Sequence, residues 1–141
     1  MNSYLDTSVI VPLFVDEAVS DVISLWAEKQ TRALIVADLT VTEFNAVISR
    51  LVRQNAFDEA RAVDTRQQFE QWRTAATEPL ENLPVDVRAA GRLVATALPR
   101  LLSADAIHLA TCRRLDLTLV TSDHDLQRIA EREGVRWVCP S

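Results

Sequence analysis

The chain has 141 residues, a length that suits one domain with a real buried core. Nearly half of them are apolar and a quarter are charged, as in an ordinary globular domain, and no apolar run approaches a membrane span. The net charge of −5 argues against a general nucleic-acid coat, and the two glycines, Gly91 and Gly134, exclude a glycine-rich phosphate loop.

The basic residues are arginines except Lys29, which favours forked contacts to carboxylate or phosphate. Cys112 and Cys139 form no metal-binding spacing, and Cys112 sits in an apolar helical pattern that reads as a buried thiol. No basic stretch precedes the first apolar residues, so no signal peptide is expected and a cytoplasmic location is the default.

In chain order, Ser3-Leu5 reads as a strand ending in Asp6-Thr7-Ser8, beside the apolar run Val9-Ile10-Val11. A short helix is expected over 20–29 and a strand over Leu34-Val36. Over 40–54, Val41, Phe44, Val47, Ile48, Leu51 and Val52 recur at helical spacing. Asp58 can cap a helix running to about Ala76, with Val63, Phe69 and Trp72 as apolar points. A weaker strand is expected near Pro79-Leu83. Pro84 can start a helix over 85–98 that Pro99 ends, and Ser103 can cap another over 104–115. Leu117-Thr121 and Arg136-Val138 read as strands around a helix over 123–133 closed by Gly134. Short apolar strands alternating with helices predict an α/β fold. It is one domain over 1–141, with a mostly parallel sheet of four to five strands covered on both faces. Such sheets place their sites beyond the carboxyl ends of the strands.

Acids stand at those ends. Asp6 follows the first strand, Asp123 follows "LTLVT", and Glu43 lies a few residues after "ALIVAD". Asp105 heads "ADAIHLATC", a helix apolar nearly all round and therefore buried. Each acid also has a structural reading. Asp6 can open a turn, Thr40-Val-Thr-Glu43 matches a capping box, and Asp105 and Asp123 suit the first turn of a helix. Four clustered carboxylates would repel one another unless a cation joined them. An oxygen-only ligand set suits Mg2+ or Mn2+. That combination points to phosphodiester chemistry: the metal lowers the pKa of its water and stabilises charge on phosphate oxygens.

The chain resembles the PIN-domain ribonucleases, and among them the VapC-type toxins of bacterial toxin–antitoxin pairs. "YLDTSVIVPLF", "TVTEFNAVISRL", "LLSADAIHLATC" and "LTLVTSDHDL" look like the family's four acid motifs, in the family's order and over essentially the whole chain. The resemblance implies a metal-dependent endoribonuclease that cuts transfer or ribosomal RNA, arrests translation and is silenced by a small VapB-type antitoxin. Asp6, Glu43, Asp105 and Asp123 would form the acidic quartet that is both catalytic and metal-binding. Thr7, Ser8 and Thr121 would orient it, and Asp125 could share or replace the role of Asp123. A homodimer and a toxin–antitoxin hetero-oligomer follow as expectations.

His108 is read as a core residue or one that supports the ligands rather than a metal ligand, His124 as exposed, and Trp26, Trp72 and Trp137 as packing anchors. The helices over 40–54 and 58–76 could form a hairpin that receives the antitoxin or a second copy through Trp72. Arg50, Arg53, Arg61, Arg66 and Arg73 could contact RNA phosphates, or could pair with Asp58, Glu59, Asp64 and Glu70 on a solvated face. A phospho-receiver or a haloacid-dehalogenase-type phosphatase needs a lysine after a later strand, and Lys29 lies in the wrong region. A protein that only binds antitoxin and operator DNA stays open as the alternative.

Overall fold

The computed structural model describes residues 2–96 and 100–141. Its strands are β1 (Ser3–Leu5), β2 (Leu34–Ala37), β3 (Thr77–Leu80), β4 (Thr118–Val120) and β5 (Trp137–Val138). Its helices are α1 (Thr7–Phe14), α2 (Ser20–Glu28), α3 (Asp38–Arg53), α4 (Glu59–Ala76), α5 (Pro84–Thr96), α6 (Ser103–Leu115) and α7 (His124–Arg132). The strands form one parallel sheet in the order β3-β2-β1-β4-β5.

Alternation along each strand divides the interior into two cores. Leu5, Leu34, Val36 and Val120 face one, where α1 to α4 supply Val9, Ile10, Ile23, Phe44, Ile48 and Phe69. Tyr4, Ile35, Ala37 and Leu119 face the other, with Leu109 and Cys112 of α6 and Leu126 and Ile129 of α7. In the first core Phe44 stacks on Phe69 at 4.1 Å between ring centroids, and Phe14 meets Phe44, Phe69 and Trp72 edge-on. Cys112 is a buried free thiol, as its helical pattern predicts.

The structure departs from the sequence expectations where tertiary context overrides local signals. The run after Asp6 is helical: α1 buries Val9, Ile10, Val11 and Pro12 against the sheet, although β-branched residues and proline favour other conformations. α3 starts at Asp38, so Thr40 lies inside it, and the Thr40 hydroxyl donates to the Leu5 carbonyl at 3.3 Å. Thr40-Val-Thr-Glu43 is therefore no capping box. Leu102, not Ser103, occupies the N-cap of α6, and no side chain caps that end.

Asp58 does cap α4, accepting from the Arg61 amide at 2.7 Å. The inner face of α4 is Ala62, Thr65 and Phe69 with Trp72 half-buried behind them, and this leaves Val63 exposed. β3 begins two residues earlier than the weak strand signal. Pro84 opens α5 as expected, while the expected end at 98 and the stop at Pro99 lie outside the described residues. Gly134, at φ 72°, follows α7 in the left-handed region that favours glycine.

Trp26 and Trp72 pack against the first core, but Trp137 sits exposed on the edge strand, where its indole donates to Glu131 at 3.0 Å. His124 is exposed. The paired arginine face is reduced to Arg73–Glu70, because Asp58 caps and Asp64 accepts from Gln68. Arg66 instead bridges to Asn45 and Ser49, joining α4 to α3.

Candidate active site

The strand order changes direction at β1, with β2 and β3 added on one side and β4 and β5 on the other. Loops leaving the carboxyl ends of such a neighbouring pair diverge and open a crevice. The Asp6 amide donates to the Val120 carbonyl at 3.1 Å, so the loops after β1 and β4 start side by side.

Asp6 is only 3% exposed, and its buried charge is met by donors. Oδ1 accepts from the Ser8 amide at 2.8 Å and the Ser8 hydroxyl at 2.5 Å, while Oδ2 accepts from the Thr121 hydroxyl at 2.7 Å. Asp6, one of the four predicted acids, is thus the N-cap of α1. Burial pushes its pKa up, and the bonds from Ser8 and Thr121 work against that rise.

The same hydroxyls fix the second loop. Thr121 Oγ1 accepts from the Asp123 amide at 3.0 Å, and Ser8 Oγ accepts from the Ser122 amide at 2.9 Å. Asp123 caps α7, with Oδ1 accepting from the amides of Asp125 and Leu126. Its other oxygen has no hydrogen bond among the described residues. Asp125 turns to solvent and pairs with Arg128.

Glu43 projects from α3 to the other side of the crevice. Its Oε1 accepts from the Thr7 hydroxyl at 2.8 Å and is bonded to His108 Nε2. Burial acts to raise the Glu43 pKa, but the His108 bond and charge and the Thr7 bond outweigh it and hold the group below its ordinary value. Asp105, in the first turn of α6, has no hydrogen bond or ion pair among the described residues. Its pKa is pushed up to about 6, first by burial and then by the charges of Asp6, Asp123 and Glu43, against which only His108 acts. The predicted quartet therefore shares one electrostatic field. Among the described residues no three His, Cys, Asp or Glu side chains are drawn into a ready-made chelate. The Ser8 and Thr121 hydroxyls bond Asp6, and the Thr7 hydroxyl bonds Glu43.

A groove of about 480 Å³ is lined by Thr7, Ser8, Val47, Arg50, Ser122 and, of the four acids, Asp123. Arg50 has no ion pair among the described residues. His108, expected as a core residue or a support for the ligands, is fully buried and bonded to Glu43. The sequence reading missed the two residues behind it, Tyr4 and Asn82. A histidine one turn after Asp105 was a visible signal; nothing in the sequence marked Asn82.

A family model described as PIN domain matches residues 3–132. No curated protein matches the chain by sequence. Among solved structures, the chain is similar to Mycobacterium tuberculosis VapC20, a toxin described as cleaving the sarcin-ricin loop. Identity is 14% and the TM-score 0.72, over 89% of this chain and 93% of the other. Rickettsia felis VapBC2, bound to a DNA fragment from their promoter, has 12% identity and a TM-score of 0.72 over 99% and 98% of the two chains. Neisseria gonorrhoeae FitAcB has 18% identity and a TM-score of 0.72 over 98% and 97%. At these identities the likeness is one of fold.

Proposed function

Because the chain belongs to the PIN-domain family, we propose that it is the endoribonuclease toxin of a toxin–antitoxin pair, hydrolysing RNA phosphodiester bonds with a divalent metal and so inhibiting translation. The observation that carries this reading is the charge field at Asp105, a partly buried carboxylate with no donor of its own, facing the charges of three other acids. The donor set fits a hard divalent cation, because it offers carboxylate oxygens and no thiolate. Asp6, Asp105, Asp123 and Glu43 are the residues that would hold Mg2+ or Mn2+. A bound cation would supply Lewis acidity toward the phosphodiester and toward water.

The chain's own residues set the stage for that chemistry. Ser8 and Thr121 hold both carboxylate oxygens of Asp6. Thr7 and His108 hold Glu43. Thr121 and Ser8 together lock the loop that presents Asp123. Arg50 lines the groove next to these groups, where a forked guanidinium suits an RNA phosphate. Asp125, paired with Arg128 at the surface, is a weaker candidate for the fourth acid than Asp123.

The structural neighbour from Rickettsia felis is VapBC2 on promoter DNA. By that likeness the partner proposed here is a cognate VapB-type antitoxin, seated beside the α3–α4 hairpin, with a homodimer inside the hetero-oligomer. A groove of about 410 Å³ lined by Leu13, Ala27, Gln30, Trp72 and Ala76 lies between α2 and the end of α4. No helix among the described residues is long and apolar enough to cross a membrane. The test is incubation of the purified, antitoxin-free chain with total RNA in Mg2+ or Mn2+ and in EDTA. Discrete cuts that require the metal support the reading; uncut RNA from folded, metal-supplied protein refutes it and leaves a binding-only role.

A further inference from the structure

A pocket of about 200 Å³ is lined by two of the predicted acids, Asp105 and Asp123, together with side chains that are not metal ligands. Local structure brings them together. Leu102 is the N-cap of α6, and its carbonyl accepts from the Ala106 amide at 3.0 Å, which ties it to the turn that carries Asp105. Leu126 and Ile129 follow Asp123 at intervals of three, the spacing that sets side chains on one face of α7. Leu126 and Ile129 belong to the second core, while Leu102 is 51% exposed, so the pocket has apolar surface open to a ligand. Arg100 lines the same pocket as Asp105, Asp123 and Asp125. It forms no ion pair among the described residues, and Asp125 takes Arg128 instead. Asp123 also lines the groove that holds Arg50, so the two recesses share one acid. A strand passing over Asp123 from one recess to the other meets a guanidinium without an ion pair in each.

We propose that this pocket is a nucleotide subsite, in which Arg100 takes a phosphate of the substrate strand and Leu102, Leu126 and Ile129 take the base attached to it. A forked guanidinium suits a phosphate, and a base turned out of its stack suits an apolar surface. The nucleotide is thereby held beside Asp105 and Asp123. The part the subsite plays in cleavage rests on the nuclease reading above, whereas nucleotide binding is measured without it. Three carboxylates against one guanidinium repel an anion, so binding is measured with Mg2+ present.

The test is methyl NMR of the full-length chain in Mg2+, titrated separately with the four nucleoside 5′-monophosphates and with inorganic phosphate. These probes contain no phosphodiester to cut. The expected result is saturable shifts of the Leu102, Leu126 and Ile129 methyl groups with at least one nucleotide, which binds more tightly than phosphate alone. Arg100→Ala is expected to weaken that nucleotide about tenfold, and Arg100→Lys, which keeps the charge without the fork, to recover only part of the loss. Leu102→Ala is expected to weaken the nucleotide and not inorganic phosphate. Arg92→Ala, in a different groove on α5, is expected to change nothing. No methyl shift with any of the four, equal affinity for nucleotide and phosphate, or wild-type affinity in Arg100→Ala overturns the proposal. If total RNA is cut while the pocket stays silent, the subsite falls and the nuclease reading stands. If nucleotides bind as expected and RNA stays whole, the subsite stands and the nuclease reading falls.

Discussion

The Thr121 hydroxyl donates to Asp6 Oδ2 at 2.7 Å, joining the ends of two adjacent parallel strands that lie 115 positions apart in the chain. Through the Asp123 amide the same oxygen also sets the next loop. Thr121→Val keeps the shape and removes the donor, leaving a buried carboxylate oxygen unpaired. The expected cost is about 1–2 kcal/mol, read by urea denaturation, with weaker Mg2+ binding in calorimetry. Unchanged stability and unchanged metal affinity would remove Thr121 from the site.

Asp105 opposes folding in the absence of metal. Its folded pKa of about 6 stands above the ordinary 3.8. Below about pH 4 both folded and unfolded chains keep the proton, and the group contributes nothing. As pH rises toward about 6 the unfolded chain releases its proton first, so stability falls, and the penalty is complete above that value. Asp105→Asn should therefore stabilise the metal-free protein at pH 7 by about 1 kcal/mol, after discounting for partial solvation, while cleavage is lost. Thermal unfolding between pH 4 and pH 8 checks the sign.

Asp86 has the opposite dependence. It is 1% exposed and accepts two bonds from Arg114, at 2.6 and 2.9 Å, one from Thr111 at 3.0 Å and one from the Leu83 amide at 2.9 Å. Burial works to raise its pKa, but the Arg114, Leu83 and Thr111 bonds hold it below the ordinary value. Its stabilisation is present above about pH 4 and is lost as pH falls through the folded value. Asp86→Ala should cost about 2–4 kcal/mol by releasing α5 from α6, measured by chemical denaturation at pH 7. A loss under about 0.5 kcal/mol would contradict the account.

Trp72 offers the partner test. It packs edge-on against Phe14 and lines the groove between α2 and the end of α4. Trp72→Ala is expected to weaken binding of the cognate antitoxin by about 2 kcal/mol in calorimetry, with circular dichroism confirming the fold. Undiminished affinity would place the antitoxin elsewhere.

Much of the architecture was legible because strand alternation and helical spacing are local signals. Asp6 and Asp123 stood out as candidates because the first and fourth strands are followed by them. What escaped depends on partners far along the chain. The β-branched run of α1 carries a strand-like composition, and only burial against the sheet makes it a helix. Glu43 sits in a sequence that matches a capping box, yet it bonds His108, 65 positions away. Asn82 meets Tyr4 across 78 positions and Thr111 across 29, so no window of sequence could reveal it. Trp137 looked like an anchor because tryptophans usually are, but it falls on an edge strand with one face in solvent.

The proposed nuclease requires Asp6 and Asp105 to hold the divalent metal on which RNA cleavage depends. The most direct measurement sequences the new RNA ends after incubation of total RNA with the metal-loaded chain, with Asp6→Asn and with Asp105→Asn. Discrete ends from the wild type, absent with EDTA and absent from both folded variants, are the predicted result. Ends that persist in Asp105→Asn, or cleavage that survives EDTA, would contradict it.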